Sequence, residues 1–254
     1  MFNRELRRLL TRYNITKFGA NSALAYHHYH GASTNQRWMM TDCGKRLQCR
    51  LPNKNTRQSL STMAAVGEKI VPKNEMLNYM VSCMVAAGAS ESHGRQLAEV
   101  LLEGDIRGHY SHGLNRLDMY VRDIKQGVCA KSGEPSILKE RGATAWVDGN
   151  NLLGPVVGNF CMDLAVKKAK ENGVGWVVAK GSNHYGIAGW YALRAMKAGC
   201  MGMSMTNTSP ISYPTRSAKP ALGTNPLSLG AAGTNGDAFV LDMATTTVAI
   251  GKVS

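Results

Sequence analysis

Val174-Gly175-Trp176-Val177-Val178-Ala179-Lys180-Gly181-Ser182-Asn183-His184-Tyr185-Gly186-Ile187-Ala188-Gly189 is the stretch that decides the fold class. Residues 174–179 are a short, apolar, β-branched run, which reads as a buried strand. Gly181 breaks the run, 181–184 reads as a loop, and 185–198 reads as a helix that Gly199 ends. Another strand is expected at 201–206. A helix between two strands is a βαβ unit, so part of the sheet is expected to be parallel. Gly173-Val174-Gly175 supplies only half of a GxGxxG fingerprint, and it precedes the strand instead of following it. The class is α/β, without the Rossmann phosphate cradle.

Upstream of this unit, residues 73–87 read as an amphipathic helix stopped by Gly88. Ser90 is placed to cap a second helix over 91–106, with Glu91 at its positive end. A third helix is expected from 113 to 126, closed by Gly127. Residues 137–140 and 144–147 flank Arg141-Gly142 as a β-hairpin. Residues 156–171 read as helical up to Asn172-Gly173. Downstream, 207–236 reads as a long loop with Pro210, Pro214, Pro220 and Pro226, followed by a strand at 238–242. A helix then begins at 245–252 with no returning strand, so the fold reads as incomplete at the C-terminus.

The chain has 254 residues and a net charge of +13, which on its face suggests a nucleic-acid partner. Residues 1–66 hold eleven Lys/Arg and two acids, Glu5 and Asp42, which leaves the remaining 188 residues at only +4. The basicity belongs to the N-terminal segment. No aromatic-interleaved basic patch accompanies it, so a nucleic-acid-binding protein is the weaker alternative. Residues 1–66 are rich in Arg and Ser, and read as a disordered extension or a mitochondrial-type targeting segment. The expected location is the cytoplasm or the mitochondrial matrix. No apolar run of eighteen residues occurs, so no membrane-spanning helix is expected. The six cysteines form no CxxC pair and read as thiols rather than a disulfide or zinc framework. No metal site is expected.

Asp105-Ile106-Arg107-Gly108-His109-Tyr110-Ser111-His112-Gly113-Leu114-Asn115-Arg116 carries the chemistry. With a helix starting near Gly113, His112 and Arg116 fall one turn apart and converge. Arg116 offers a planar fork for a carboxylate, and His112 titrates near neutrality. Ser111 is placed to orient the imidazole. Read alone, His112 is equally a capping residue and Arg116 a solvated helix charge. The loop 181–189 joins a strand end to a helix start, where open α/β sheets bind ligands. Its helix N-terminus favours an anion such as a pyrophosphate, and His184 there is an acid/base or a cofactor contact. Gly223-Thr224-Asn225-Pro226 reads as a rigid turn. Asp242 reads as a cap for the helix that follows it. Lys252 is either a partner for an anionic substrate or a surface lysine. The patterns GxxxxGK[ST], HExxH and GxSxG are absent.

The ordered motifs 105–113, Ser182-Asn183-His184-Tyr185-Gly186, Gly223-Thr224-Asn225-Pro226 and Asp242-Met243-Ala244-Thr245 resemble the malate/L-lactate dehydrogenase family that is distinct from the Rossmann enzymes. The resemblance covers about residues 68–254. It implies a non-Rossmann α/β fold with a mixed sheet, NAD or NADP, a small 2-hydroxy or 2-oxo acid substrate and a homodimer. It further implies catalytic roles for Ser111, His112 and His184, and substrate binding by Arg116 and Lys252. His184, Tyr185, Gly186, Ile187, Ala188, Thr208, Asp242, Met243 and Ala244 would bind the cofactor. The division expected is an extension at 1–66, a helical substrate-side segment at 67–130 and an α/β cofactor segment at 131–254. A catalytically inactive family member that acts through dimerisation is the other reading, since the family continues beyond the motif around Lys252.

Overall fold

The computed structural model describes residues 69–246, together with the backbone of two strands further upstream. Those strands, β1 (Leu24–His27) and β2 (Arg37–Asp42), lie inside the segment read as an extension. They form an antiparallel sheet in the order β1-β2-β3 with β3 (Lys69–Pro72). The rest of residues 1–66 lies outside the described residues, as do Gly251, Lys252 and the helix expected over most of 245–252.

Three helices follow, the first two as the sequence predicts. Helix α1 (Lys73–Ala87) starts directly after Pro72 and stops at Gly88, whose φ of 106° is the left-handed stop that glycine tolerates. Helix α2 (Glu91–Ile106) is capped by the Ser90 hydroxyl, which accepts the His93 N–H at 3.3 Å. The third helix departs from expectation. Residues 110–116 form two 3₁₀ turns, Tyr110–His112 and Leu114–Arg116, and α3 (Leu117–Gln126) begins only afterwards. The apolar faces of α1, α2 and α3 pack together through Met80, Met84, Leu97, Leu101, Tyr120 and Ile124. Leu152, Leu153, Val156 and Val157 complete this core, so it crosses the boundary expected at residue 130.

Strands β4 (Ser136–Arg141) and β5 (Thr144–Asp148) form the expected hairpin. Helix α4 (Gly154–Asn172) starts two residues early, because Pro155 suits the first helical turn. It leads to β6 (Trp176–Lys180), which lies parallel to β5. The sheet β4-β5-β6 is therefore mixed. Lys168 of α4 locks helix to hairpin, with Nζ 2.8 Å from both the Gly142 carbonyl and Glu140 Oε1.

Two expectations need correction here. The parallel pair comes from β5-α4-β6, not from β6 and the strand after it. Strand β6 is also not buried, since Trp176 and Val178 are each 51% exposed. It sits at a sheet edge with one uncovered face, and an apolar run cannot distinguish that from a central strand.

Helix α5 (Gly189–Lys197) begins four residues later than the pattern suggested, because Gly186 holds φ +80° and interrupts any helix through 185–188. It packs on a third sheet of order β7-β8-β9: β7 (Gly202–Met205), β8 (Leu227–Ala232) and β9 (Ala238–Met243). Strand β8 falls within the region read as loop. Its sequence, Leu-Ser-Leu-Gly-Ala-Ala, lacks β-branched residues because α5 lies close over it. A side chain at Gly230 would press on the Ala192 carbonyl at 3.2 Å. Ser228 is fully buried, with its hydroxyl donating to the Leu241 carbonyl at 2.8 Å. Among the described residues no helix is long and apolar enough to cross a membrane.

Removing the cap tests the α2 start directly. Ser90→Ala is expected to lower unfolding free energy by about 1 kcal/mol in urea denaturation, whereas Ser90→Gly costs only a few tenths. Equal losses for both would show that the hydroxyl is not the capping group.

Candidate active site

The turn that carries His112 and Arg116 is built against Asp105. Gly108, at φ +76°, reverses the chain after α2, and His109 N–H returns to the Gly104 carbonyl at 2.8 Å. The Asp105 carboxylate then accepts the Leu114 N–H at 2.9 Å. Gly113 passes so close that any Cβ there would collide with Asp105 Oδ1. Burial pushes the Asp105 carboxyl up to about 7, offset in part by the bond from Leu114. Within the turn, Ser111 Oγ lies 2.8 Å from His112 Nδ1, and Arg116 Nε donates to the Ser111 carbonyl at 2.6 Å. The convergence expected of helical spacing therefore comes from two 3₁₀ turns pinned to a buried carboxylate.

A second chain of contacts brings His184 to this turn. Asn183 Nδ2 donates to the Leu152 carbonyl at 3.0 Å and reaches Asn151 Oδ1 at 3.0 Å. Gly154 packs so tightly on the carbonyls of Asn183 and His184 that a side chain there would clash. Gly186, likewise, leaves no room for a Cβ beside Val100 of α2. Held this way, His184 stacks on His112 with ring centroids 5.4 Å apart and planes 22° apart. Tyr120 of α3 meets His184 edge-on at 5.7 Å, and its hydroxyl bonds His184 Nδ1.

Packing on one side, together with the Arg116 guanidinium, moves the His184 pKa down. Two protonated rings at the 5.4 Å separation would repel by roughly 3 kcal/mol at an effective dielectric of about 20. The pair therefore carries at most one positive charge near neutrality, and His184 is the member held neutral.

The residues implied for the cofactor gather at neighbouring strand ends. Leu227 at the start of β8 pairs with Met205 on one side and Met243 on the other. The chain leaving β7 toward Thr208 and the chain leaving β9 through Ala244 therefore lie on either side of the segment that enters β8. Thr208 Oγ1 accepts the Thr224 N–H at 2.8 Å, and Thr208 N–H donates to Asn225 Oδ1 at 3.0 Å. Gly223-Thr224-Asn225-Pro226 is thus the clamp that holds Thr208. Thr245 N–H closes the group on the Thr224 carbonyl at 2.9 Å.

The helix start differs from expectation. The Asp242 carboxylate serves α5 instead of the residues just after it that the structure describes: its Oδ2 accepts the Gly189 N–H at 2.8 Å, and His109 Nε2 stands 3.9 Å away. Burial raises the Asp242 pKa, while the Gly189 N–H and then His109 and Arg107 lower it. Trp190 and Tyr191 N–H groups donate to the Ile187 and Ala188 carbonyls at 3.4 and 3.3 Å. A carboxylate from within the chain therefore sits at the positive end of α5, where the sequence favours an anion. Ile187 and Ala188 are buried. Tyr185 is half-buried, with its ring stacked on Tyr191 at 4.7 Å and its hydroxyl 3.2 Å from Ser204 Oγ.

Sequence reasoning missed the roles of Tyr120, Asp105 and His109. Tyr120 carries no local signal, since its partner lies 64 residues away.

Residues 71–254 match the family model described as malate/L-lactate dehydrogenase. The malate dehydrogenase of Pyrococcus horikoshii is 44% identical over 183 residues, covering 72% of this chain and 51% of that protein. The malate/(S)-sulfolactate dehydrogenase of Methanothermus fervidus is 41% identical, covering 72% of this chain and 54% of that one. The NAD(+) ureidoglycolate dehydrogenase of Escherichia coli is 34% identical, covering 66% and 48%. The solved structure of the P. horikoshii enzyme superposes with a TM-score of 0.70 at 43% identity, over 72% of this chain and 52% of that one. The chain spans about half the length of the curated relatives it matches.

The Asp105 geometry predicts a pH dependence of stability. Its carboxyl titrates near 3.8 in the unfolded chain and at about 7 in the fold, so the native state binds more protons between those values. Unfolding free energy should fall as pH rises through this window, by roughly 1.4 kcal/mol per pH unit. Asp105→Asn keeps an acceptor for the Leu114 N–H and should flatten that slope in urea unfolding at pH 4.5, 6 and 7.5. An unchanged slope would show that Asp105 does not titrate in this range.

Proposed function

The chain belongs to the malate/L-lactate dehydrogenase family, and on that premise we propose that the site serves hydride transfer between a nicotinamide cofactor and a small 2-hydroxy or 2-oxo acid. One observation carries the reading: His112 stacks on His184 beside Arg116, although the two imidazoles are 72 residues apart. A side chain suited to grip a carboxylate and one suited to exchange a proton therefore lie side by side.

Arg116 binds the substrate carboxylate. Its Nε is anchored on the Ser111 carbonyl, which fixes the plane of the guanidinium. His112, with Ser111 on its Nδ1, removes the hydroxyl proton in oxidation and returns it in reduction. The bound nicotinamide supplies the hydride acceptor or donor. His184, Tyr185 and the backbone of 186–188 would hold it from one side, with Asp242, Met243, Ala244 and Thr208 on the other. Lys252 would complement an anionic substrate. NAD is favoured over NADP because the E. coli relative is named for NAD(+). Malate is the first substrate to try, because the P. horikoshii and M. fervidus relatives are named for it. In this reading the helical segment 67–130 faces the substrate, 131–254 faces the cofactor, and the working unit is a homodimer.

Initial rates on malate, lactate, sulfolactate and ureidoglycolate with NAD and NADP test the assignment. His112→Ala is expected to lower kcat/KM by ~10²–10⁴-fold. Arg116→Lys keeps the charge but loses the fork, and should raise KM as well as lower kcat. Unchanged kinetics in both variants would overturn the reading.

A further inference from the structure

We propose that Tyr120 is a positioning residue that fixes the proton of His184 on Nε2, so that His184 presents a hydrogen-bond donor to whatever occupies the site. The inference rests on reading the His112–His184 pair as the hydroxy-acid site, and it adds a division of labour between the two rings.

Tyr120 lies on α3 with 1% of its surface exposed. Its hydroxyl bonds His184 Nδ1 and also donates to the His184 carbonyl at 3.3 Å. The Gly186 N–H points at the same Nδ1 from 3.3 Å. A backbone N–H only donates, so the nitrogen it faces must offer a lone pair. Burial pushes the Tyr120 hydroxyl far above its ordinary range, so it keeps its single proton, which it shares between the His184 carbonyl and, at the shorter contact, Nδ1. Two donors converge on Nδ1. A neutral imidazole with Nδ1 as acceptor carries its hydrogen on Nε2. The edge-on contact of the Tyr120 ring, with planes at 65°, sets the orientation of the imidazole.

The rest of the residue supports the same assignment. Part of the His184 surface remains exposed while its Nδ1 edge is closed by Tyr120 and Gly186. The accessible edge is therefore the one that carries the Nε2 hydrogen. Among the described residues, the charged or titratable groups facing the ring are Arg116 and His112 from the 3₁₀ turns and Tyr120 from α3, with Tyr185 next along the loop. Arg116 disfavours a second cation here. Proton exchange falls to His112, and His184 polarises a substrate oxygen or holds a carboxamide oxygen.

Long-range ¹H–¹⁵N NMR of the imidazoles in the whole labelled chain tests this without cofactor or turnover. His184→Gln identifies the signals among the seven histidines. The wild-type chain should show a pyridine-like Nδ1 and a pyrrole-like Nε2 at His184. Tyr120→Phe keeps the ring and should give a mixture of tautomers, with the His184 titration moved up by roughly half to one pH unit. A pyrrole-like Nδ1 in the wild type would overturn the inference. So would a Tyr120→Phe variant, folded by near-ultraviolet circular dichroism, with tautomer and titration unchanged. The expected tautomer in a chain that turns over no hydroxy acid supports the role of Tyr120 and counts against the hydroxy-acid reading alone.

Discussion

Asp105 ends the last turn of α2 inside the protein, where its carboxylate takes the Leu114 N–H and leaves no room for a side chain at Gly113. Burying a carboxyl is costly, and the raised pKa is the measure of that cost. In return, the acceptor fixes two 3₁₀ turns that would otherwise be a loose link between helices. His112, Ser111 and Arg116 all ride on those turns. The acid/base group and the carboxylate fork thus owe their common direction to one buried oxygen pair rather than to a helical repeat.

The partner half of the site is placed by a different device. The loop 181–186 is held by amide side chains and by glycines whose missing Cβ atoms let backbone approach backbone. Asn183 spans to the 149–153 turn, Gly154 lets the His184 carbonyl pack against it, and Gly186 rests on Val100. Because α4 carries the chain from β5 back to β6, these contacts tie the mixed sheet to the three-helix core. The imidazole of His184 is then trapped between Tyr120 and His112.

Helix α5 shows how a general expectation about helix termini is overridden locally. Its N-terminus is a ready anion site, but Asp242 fills it with the chain's own carboxylate. That bond also joins β9 to the His184 loop, with His109 close to the same oxygen. The strand ends that carry Thr208 and Ala244 are thereby registered against the histidine pair.

The sequence by itself determined the elements whose signals are local. Gly88, Gly127, Gly173 and Gly199 all close helices in the left-handed region, and Ser90 caps α2, as their positions imply. The hairpin around Arg141-Gly142, the α/β class and the His112–Arg116 cluster were also legible, because each depends on neighbours a few residues away. Tertiary structure alone decided the rest. It chose β5 rather than β7 as the parallel partner of β6, and it made a strand of 227–232, where close contact with α5 selects small residues over β-formers. It left Trp176 and Val178 on an open face. It also joined Tyr120 to His184 and Asp242 to Gly189, pairs separated by 64 and 53 residues. Side-chain periodicity reports which face of an element is apolar. It carries no information about which distant element will cover that face or which distant group will take a given proton.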